Sequence, residues 1–285
     1  MFIEYFFSVF FMIDSEIQAK TWSKLVGLMP AGGKATRLAP LPFSKELYPI
    51  AFRPAGQING TRSKVVCHYL LENMRMANVE QVYVIIRKGK WDIPAYLGDG
   101  TMLDMHLAYL MLDLPFGVPY TLDQAYPFVK DAVVAFGFPD ILFKPDTAFV
   151  HLLKRQEESG ADIVLGLFPA PNPEKMDMVD LNRDGGICNI QIKPVKTQLR
   201  YTWIIAVWTP VFTDFMHGFV SGNREMRQKT PTDTATEKHQ ELFMSHVILQ
   251  AIQRNIQIDT VLFPDGSCID IGTPEDLLKV LKVTL

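Results

Sequence analysis

Residues 25–50, LVGLMPAGGKATRLAPLPFSKELYPI, constrain this chain more than any other stretch. A short apolar run, Leu25–Met29, has the character of a buried strand and leads into a loop with adjacent glycines, Gly32 and Gly33. Glycines directly after a strand let main-chain N–H groups come close to a phosphate chain. Arg37 and Lys45 follow at short distance and bring a guanidinium and an ammonium, the positive charge a polyphosphate needs. Neither common phosphate loop is present: there is no Gly-Lys-Ser/Thr ending and no G-x-G-x-x-G.

The segments that follow place this loop in a fold. Apolar residues at Val66, Leu70, Met74 and Ala77 predict a helix over 65–77, and the compact run VYVII in 81–87 predicts a buried parallel strand. Strand, helix and strand make a βαβ unit, so the expected architecture is α/β, a Rossmann-like doubly wound sheet, mixed but mostly parallel. In such sheets ligands bind beyond the carboxyl ends of the strands, where the Gly32–Gly33 loop is expected. Phe52–Ser63, with Pro54, Gly56 and Gly60, reads as an irregular connection, and Thr101–Leu114 has Leu, Met and Tyr at helical spacing, with Met102, Met105 and Met111 as core filler. Further strands are expected at Ala132–Phe136, Asp162–Phe168, Trp203–Trp208 and Ile256–Phe263. Helices are expected at Asp146–Gly160, with Asp146 as N-cap, and at Glu237–Asn255; VDLNRDGGI at 179–187 reads as a hairpin with an Asp-Gly turn.

With 48% apolar residues the chain can bury a sizeable core, and a formal charge of −3 leaves no basic excess for a nucleic-acid surface. Any phosphate affinity must then come from a local site. Three scattered cysteines without a C-x-x-C pair fit reduced thiols in a cytoplasmic protein, and the six histidines do not cluster. Phe2–Ile13 is apolar but too short to span a bilayer and lacks a basic n-region, so no membrane association is expected. Residues 1–20 read as an N-terminal extension, with initiation at Met12 slightly favoured over an added packing element, and 21–285 as a single domain.

Beyond these local arguments, the glycine loop resembles that of the sugar-phosphate nucleotidylyltransferases, the glucose-1-phosphate thymidylyltransferase and uridylyltransferase enzymes. Their pattern is A-G-G-x-G-T-R-L-x-P, a spaced Lys, then L-x-P-I/V. Here it stands as Ala31, Gly32, Gly33, Lys34, Ala35, Thr36, Arg37, Leu38, Ala39, Pro40, Lys45, Leu47, Pro49 and Ile50, with Ala35 in place of a glycine. Tyr96-Leu97-Gly98-Asp99-Gly100 is similar to the family's Y-L-G-D-G, and Cys268 to Asp276 is similar to W-x-D-x-G-T-P-E-D. The likeness runs from about Leu25 to Leu278 and implies the nucleotide-diphospho-sugar transferase type of fold.

The resemblance also implies roles. Ala31, Gly32, Gly33 and Thr36 would cradle the nucleotide; Gln124, in the place of the family's G-L-A-Q-A glutamine, would read the base edge. Arg37 and Lys45 would neutralise the departing phosphates, and Lys193, kept from E-E-K-P, would grip the sugar phosphate. Asp140, aligned past a two-residue Phe138-Pro139 insertion, and Asp270 would hold Mg²⁺. The implied partners are a nucleoside triphosphate, dTTP or UTP favoured, and a sugar 1-phosphate, in a chain that can be homo-oligomeric. The departures gather on the sugar side: Gln191 and Ile192 replace both acids of E-E-K-P, and Met176-Asp177 replace Tyr-Gly. They keep open a catalytically weak regulatory module that binds nucleotide or sugar nucleotide on the same fold, and a cytidylyl transfer to phosphocholine.

Overall fold

A computed structural model describes residues 24–33, 35–54, 60–112, 116–229 and 241–284. The N-terminal extension, Lys34 and residues 237–240 of the helix expected at Glu237–Asn255 lie outside the described residues; 241–243 are not helical, and that helix begins only at Met244, after the extended Phe243. In chain order the strands are β1 (Leu25–Pro30), β2 (Pro49–Pro54), β3 (Thr61–Val65), β4 (Gln81–Arg87), β5 (His106–Leu112), β6 (Val133–Gly137) and β7 (Ile141–Lys144). They continue with β8 (Ile163–Pro169), β9 (Asp177–Leu181), β10 (Ile187–Ile192), β11 (Tyr201–Trp208), β12 (Ile258–Leu262) and β13 (Ser267–Asp270). The helices are α1 (Val66–Met76), α2 (Asp92–Leu97), α3 (Val118–Asp123), α4 (Tyr126–Val129) and α5 (Ala148–Ser159). After them come α6 (Pro210–Lys229), α7 (Met244–Gln253) and α8 (Pro274–Thr284).

The central sheet runs β10-β9-β11-β6-β1-β4-β5, with β8 on β11 and β12 on β8. From the pairings, β1, β4, β5, β6, β8, β9 and β12 point one way and only β10 and β11 the other, a mixed and mostly parallel sheet. The chain leaves β1 for β4 on one side and returns to β6 on the other, so the strand order reverses at β1. The carboxyl ends of β1 and β6 therefore open onto the crevice where a ligand binds in such sheets.

Alternation along the buried strands builds two cores, one on each face. Met29, Val82, Val84 and Ala135 pack under α1 and α5 with Leu70, Met74, Phe149 and Leu152. Val26, Leu28, Ile85, Val134 and Phe136 face the opposite layer, with Phe212, Val247 and Ile248 of α6 and α7. Each of the Val, Leu, Ile, Met and Phe side chains contributes about 1.5–3 kcal/mol on burial, and because both faces are covered the strands read as continuous apolar runs rather than alternating ones.

Three expectations are corrected. The described ends of Phe52–Ser63 are not irregular: β2 and β3 pair antiparallel, Phe52 opposite Ser63. Nor is Thr101–Leu114 a helix; His106–Leu112 is the strand β5, paired in parallel with β4. Gly100 at φ +95° and Asp104 at φ +56° turn the chain just before it and break any helix begun at Thr101. Periodicity cannot separate strand from helix over so short a run. Of the three methionines only Met105 is core; Met102 and Met111 are exposed. The helix expected from Asp146 starts at Ala148 with Thr147 as its cap residue, and Asp146 pairs with Lys144 instead. Gly160 ends it at φ +67°, and Asn78 takes φ +60° at the end of the first βα unit.

Candidate active site

The glycine loop leaves β1 at the sheet's reversal point. Ala31 is buried and its N–H bonds Ile85 O at 2.8 Å, so the loop's first residue is tied to β4. Beyond it, a Cβ placed on Gly32 or Gly33 would meet nothing within 4 Å, which leaves the main chain open to a ligand. Ala35, the residue that replaces glycine, sits at φ +52°. A left-handed alanine costs about 1–2 kcal/mol, so the loop keeps the shape a glycine would favour and carries the strain. Its carbonyl accepts from Leu38 N and Ala39 N at 3.0 and 3.1 Å, a turn that presents Thr36 and Arg37 to solvent.

Four charged side chains, Arg37, Lys45, Asp140 and Asp270, come together from three parts of the sequence. Asp140 follows β6, and Asp270 ends β13, which pairs antiparallel with β7 so that Asp270 stands opposite Ile141. Ile271 N bonds Asp140 O at 2.9 Å and locks the two aspartate segments together. Lys45 reaches across from its own short helical turn and forms an ion pair with Asp140 Oδ2. Arg37 passes over Gly272: a Cβ there would lie 2.8 Å from Arg37 Nη2 and 3.1 Å from Asp270 Oδ1. Only glycine leaves that passage free.

The electrostatics follow from burial. Burial pushes the Asp270 carboxyl up to about 6, the Asp140 charge adds to the rise, and Lys45 and Arg37 oppose it. Burial alone would pull the Lys45 ammonium down, but Asp140, with lesser help from Glu46 and Asp270, leaves it above the ordinary lysine value. Asp270 Oδ1 is buried and has no hydrogen-bond partner among the described residues. A carboxylate pair with an unspent buried oxygen suits a hard cation, and Mg²⁺ is usually held by one or two carboxylates with phosphates and waters completing the shell. Among the described residues no group of three His, Cys, Asp or Glu side chains could hold a metal without such help.

Sequence reasoning missed what holds Lys45 in place. Ser44 donates its N–H and its hydroxyl to Asp92 at 2.5 and 2.8 Å, across to the start of α2. Glu46, 1% exposed, is bound by Lys90 Nζ at 2.7 and 2.8 Å. These bonds pin the turn Lys45–Leu47 from both sides. The acid-after-lysine pattern at Lys45-Glu46 gave no signal of this, because its partner Lys90 lies in another βα connection.

A family model described as nucleotidyl transferase matches residues 26–285. The chain belongs to the nucleotidyl transferase family. A low-salt glycan biosynthesis nucleotidyltransferase of Haloferax volcanii is 24% identical over 263 residues, 91% of this chain and 66% of that protein. A glucose-1-phosphate thymidylyltransferase of Streptomyces griseus is 25% identical over 174 residues, 59% of this chain and 44% of that protein. The chain thus spans under two thirds of the length of these curated relatives. A crystal structure from Bacillus anthracis, described as a glucose-1-phosphate thymidylyltransferase in complex with a sucrose, superposes with a TM-score of 0.72 at 17% identity, over 91% of this chain and 95% of that one. The fold and the family resemblance expected from the sequence are borne out, and no described helix is long and apolar enough to cross a membrane.

The remaining candidate residues of this member of the nucleotidyl transferase family lie on other elements. Lys193 lies at the end of β10 at φ +43°, before a proline, and its Nζ sits 4.1 Å from the centre of the Phe243 ring. Gln124 closes α3, half-buried, and its amide makes no hydrogen bond to a described residue. Phe138, the first residue of the expected insertion, is anchored in the apolar layer, edge-on to Phe136 at 5.0 Å and tilted against Trp203 at 6.0 Å. Phe138 is thus held in place two residues before Asp140, which pairs with Lys45. Thr273 caps α8, accepting from Asp276 N at 3.3 Å, with Pro274 as the first helical residue.

Proposed function

We propose that this chain is a Mg²⁺-dependent sugar-phosphate nucleotidylyltransferase that joins a nucleoside triphosphate, dTTP or UTP favoured, to a sugar 1-phosphate and releases pyrophosphate. The observation that carries the reading is the convergence of Arg37, Lys45, Asp140 and Asp270, with an open Gly32–Gly33 main chain a few residues before Arg37. A phosphoryl-type transfer asks little covalent work of the protein; alignment and charge neutralisation do most of it.

The amides after Ala31, with Thr36, receive the triphosphate, and Gln124 offers a donor and an acceptor to the base. Arg37 and Lys45 bear on the β- and γ-phosphates as negative charge gathers there and pyrophosphate leaves. Lys193 fixes the acceptor phosphate so that one of its oxygens faces the α-phosphorus in line. Asp140 and Asp270 would hold Mg²⁺, which when bound supplies positive charge to the α-phosphate oxygens. Lys45 then has a second use: paired with Asp140, it keeps the two carboxylates compatible before the metal arrives.

Pyrophosphate release tests the reading. The assay uses Mg²⁺, dTTP and the four common ribonucleoside triphosphates against a panel of sugar 1-phosphates, with wild type and Asp270→Ala in parallel. Release that needs one sugar phosphate and Asp270 supports the transferase and names its substrates. Nucleotide binding with no release in any combination would refute it in favour of a regulatory module, and release with phosphocholine alone would refute the sugar assignment.

A further inference from the structure

Ile192 occupies the position from which an acid is expected to bond the sugar, and an aliphatic chain cannot accept a hydroxyl hydrogen. Directly across the β9–β10 pair, in register with Ile192, stands Asp177. Directly opposed residues of an antiparallel pair project to the same face, roughly 5 Å apart. Their neighbours Val179 and Ile190 both enter the core beneath α7, and Ser245 in the first turn of α7 reaches Asp177 on that face. A carboxylate is thus present on the expected face, one strand over.

The surroundings hold that carboxylate for use. Ser245 Oγ donates to Asp177 Oδ2 at 2.5 Å and accepts from Trp203 Nε1 at 2.9 Å, which leaves the hydroxyl a single orientation. Oδ1 is buried and makes no hydrogen bond of full geometry to a described residue, although the Lys193 main-chain N–H lies near enough to favour the charged carboxylate. A buried carboxylate oxygen without a full hydrogen bond is costly, and such an oxygen takes its donor from water, an ion or a ligand. Burial raises the Asp177 carboxyl, while Ser245, Lys193 and His246 favour its charged form. The same Trp203 packs on Phe138, two residues before Asp140, so this corner is continuous with the metal aspartates. Lys193, the residue just after β10, is the cation expected to take the acceptor phosphate.

We propose that Asp177 is the specificity-determining carboxylate of the acceptor site, accepting hydrogen bonds from a hydroxyl of the sugar 1-phosphate through Oδ1, with Ser245 and Trp203 as positioning residues. This rests on the transferase reading above. The acceptor class is a sugar 1-phosphate that keeps the contacted hydroxyl; its deoxy analogue is selected against.

The test compares wild type, Asp177→Asn and Ser245→Ala, with KM and kcat measured separately for nucleotide and acceptor, and with deoxy analogues of the acceptor sugar. Loss of a hydrogen bond to a charged group is worth about 10- to 100-fold. Asp177→Asn is expected to raise the acceptor KM by that factor with nucleotide KM unchanged, and the factor should vanish for the one deoxy analogue that lacks the contacted hydroxyl. Ser245→Ala, which frees Oδ2, should raise acceptor KM less. An unchanged acceptor KM in Asp177→Asn, or an equal loss for acceptor, nucleotide and every analogue, overturns the assignment while leaving the transferase intact. If Asp177→Asn fails to fold, an unchanged acceptor KM in Ser245→Ala overturns it instead. A wild type that turns over no sugar phosphate overturns both readings.

Discussion

Asp270→Asn should make the protein more stable and less active, and the pH dependence of stability should show why. The Asp270 carboxyl titrates near 6 in the folded chain against its ordinary 3.8. Between these values the folded state binds more protons than the unfolded state, so stability falls as pH rises through that window and is lowest above it. A rise from 3.8 to about 6 corresponds to about 3 kcal/mol at 1.4 kcal/mol per pH unit. Since part of it is shared with Asp140, the gain expected from asparagine at pH 8 is about 1–3 kcal/mol. At about 2–4 °C per kcal/mol, a melting curve at pH 8 resolves that. The variant should converge on wild type near pH 4 and lose the slope between pH 4 and 6. Mg²⁺ with nucleoside triphosphate should raise the wild-type melting temperature and leave the variant's unmoved. An asparagine variant less stable than wild type at pH 8, with the slope intact, would refute the argument that burial and Asp140 strain this carboxylate.

Other substitutions probe the same site from different sides. Gly272→Ala places a methyl 2.8 Å from Arg37 Nη2; because the displaced atom is the end of a flexible chain, kcat/KM should fall about tenfold with little change in melting temperature. Lys45→Met should cost about 10²–10³ in kcat/KM, and at pH 8 it should also destabilise, since Asp140 and Asp270 lose the cation between them. Lys90→Met leaves Glu46 buried without its partner and should cost about 3–5 kcal/mol in urea unfolding. The double variant Glu46→Gln/Lys90→Met should recover most of that loss, and no recovery would argue against a direct pair.

Local chemistry made much of this protein legible in its sequence. Leu25–Met29 and Val82–Ile86 carry no charged residue because both faces of their strands are covered, so a parallel sheet could be read from them directly. The glycine loop, Thr-Arg-Leu, Lys45 and the Thr273-Pro274 helix start were legible for a similar reason: main-chain geometry and capping dictate residue types over a few positions. Strand β5 was not legible, because what excludes a helix there is the left-handed turn at Gly100 and Asp104, not the pattern of His106–Leu112. The support of Lys45 by Asp92 and Lys90 was equally hidden, since each pair joins segments more than forty residues apart. The sequence shows that Ile192 cannot bond a sugar, but it takes the register of β9 on β10 to set Asp177 opposite it and the packing of α7 to leave one carboxylate oxygen unspent. Residue types are set by what the backbone needs nearby; which charges meet is set by where distant strands pair, and that only the folded chain decides.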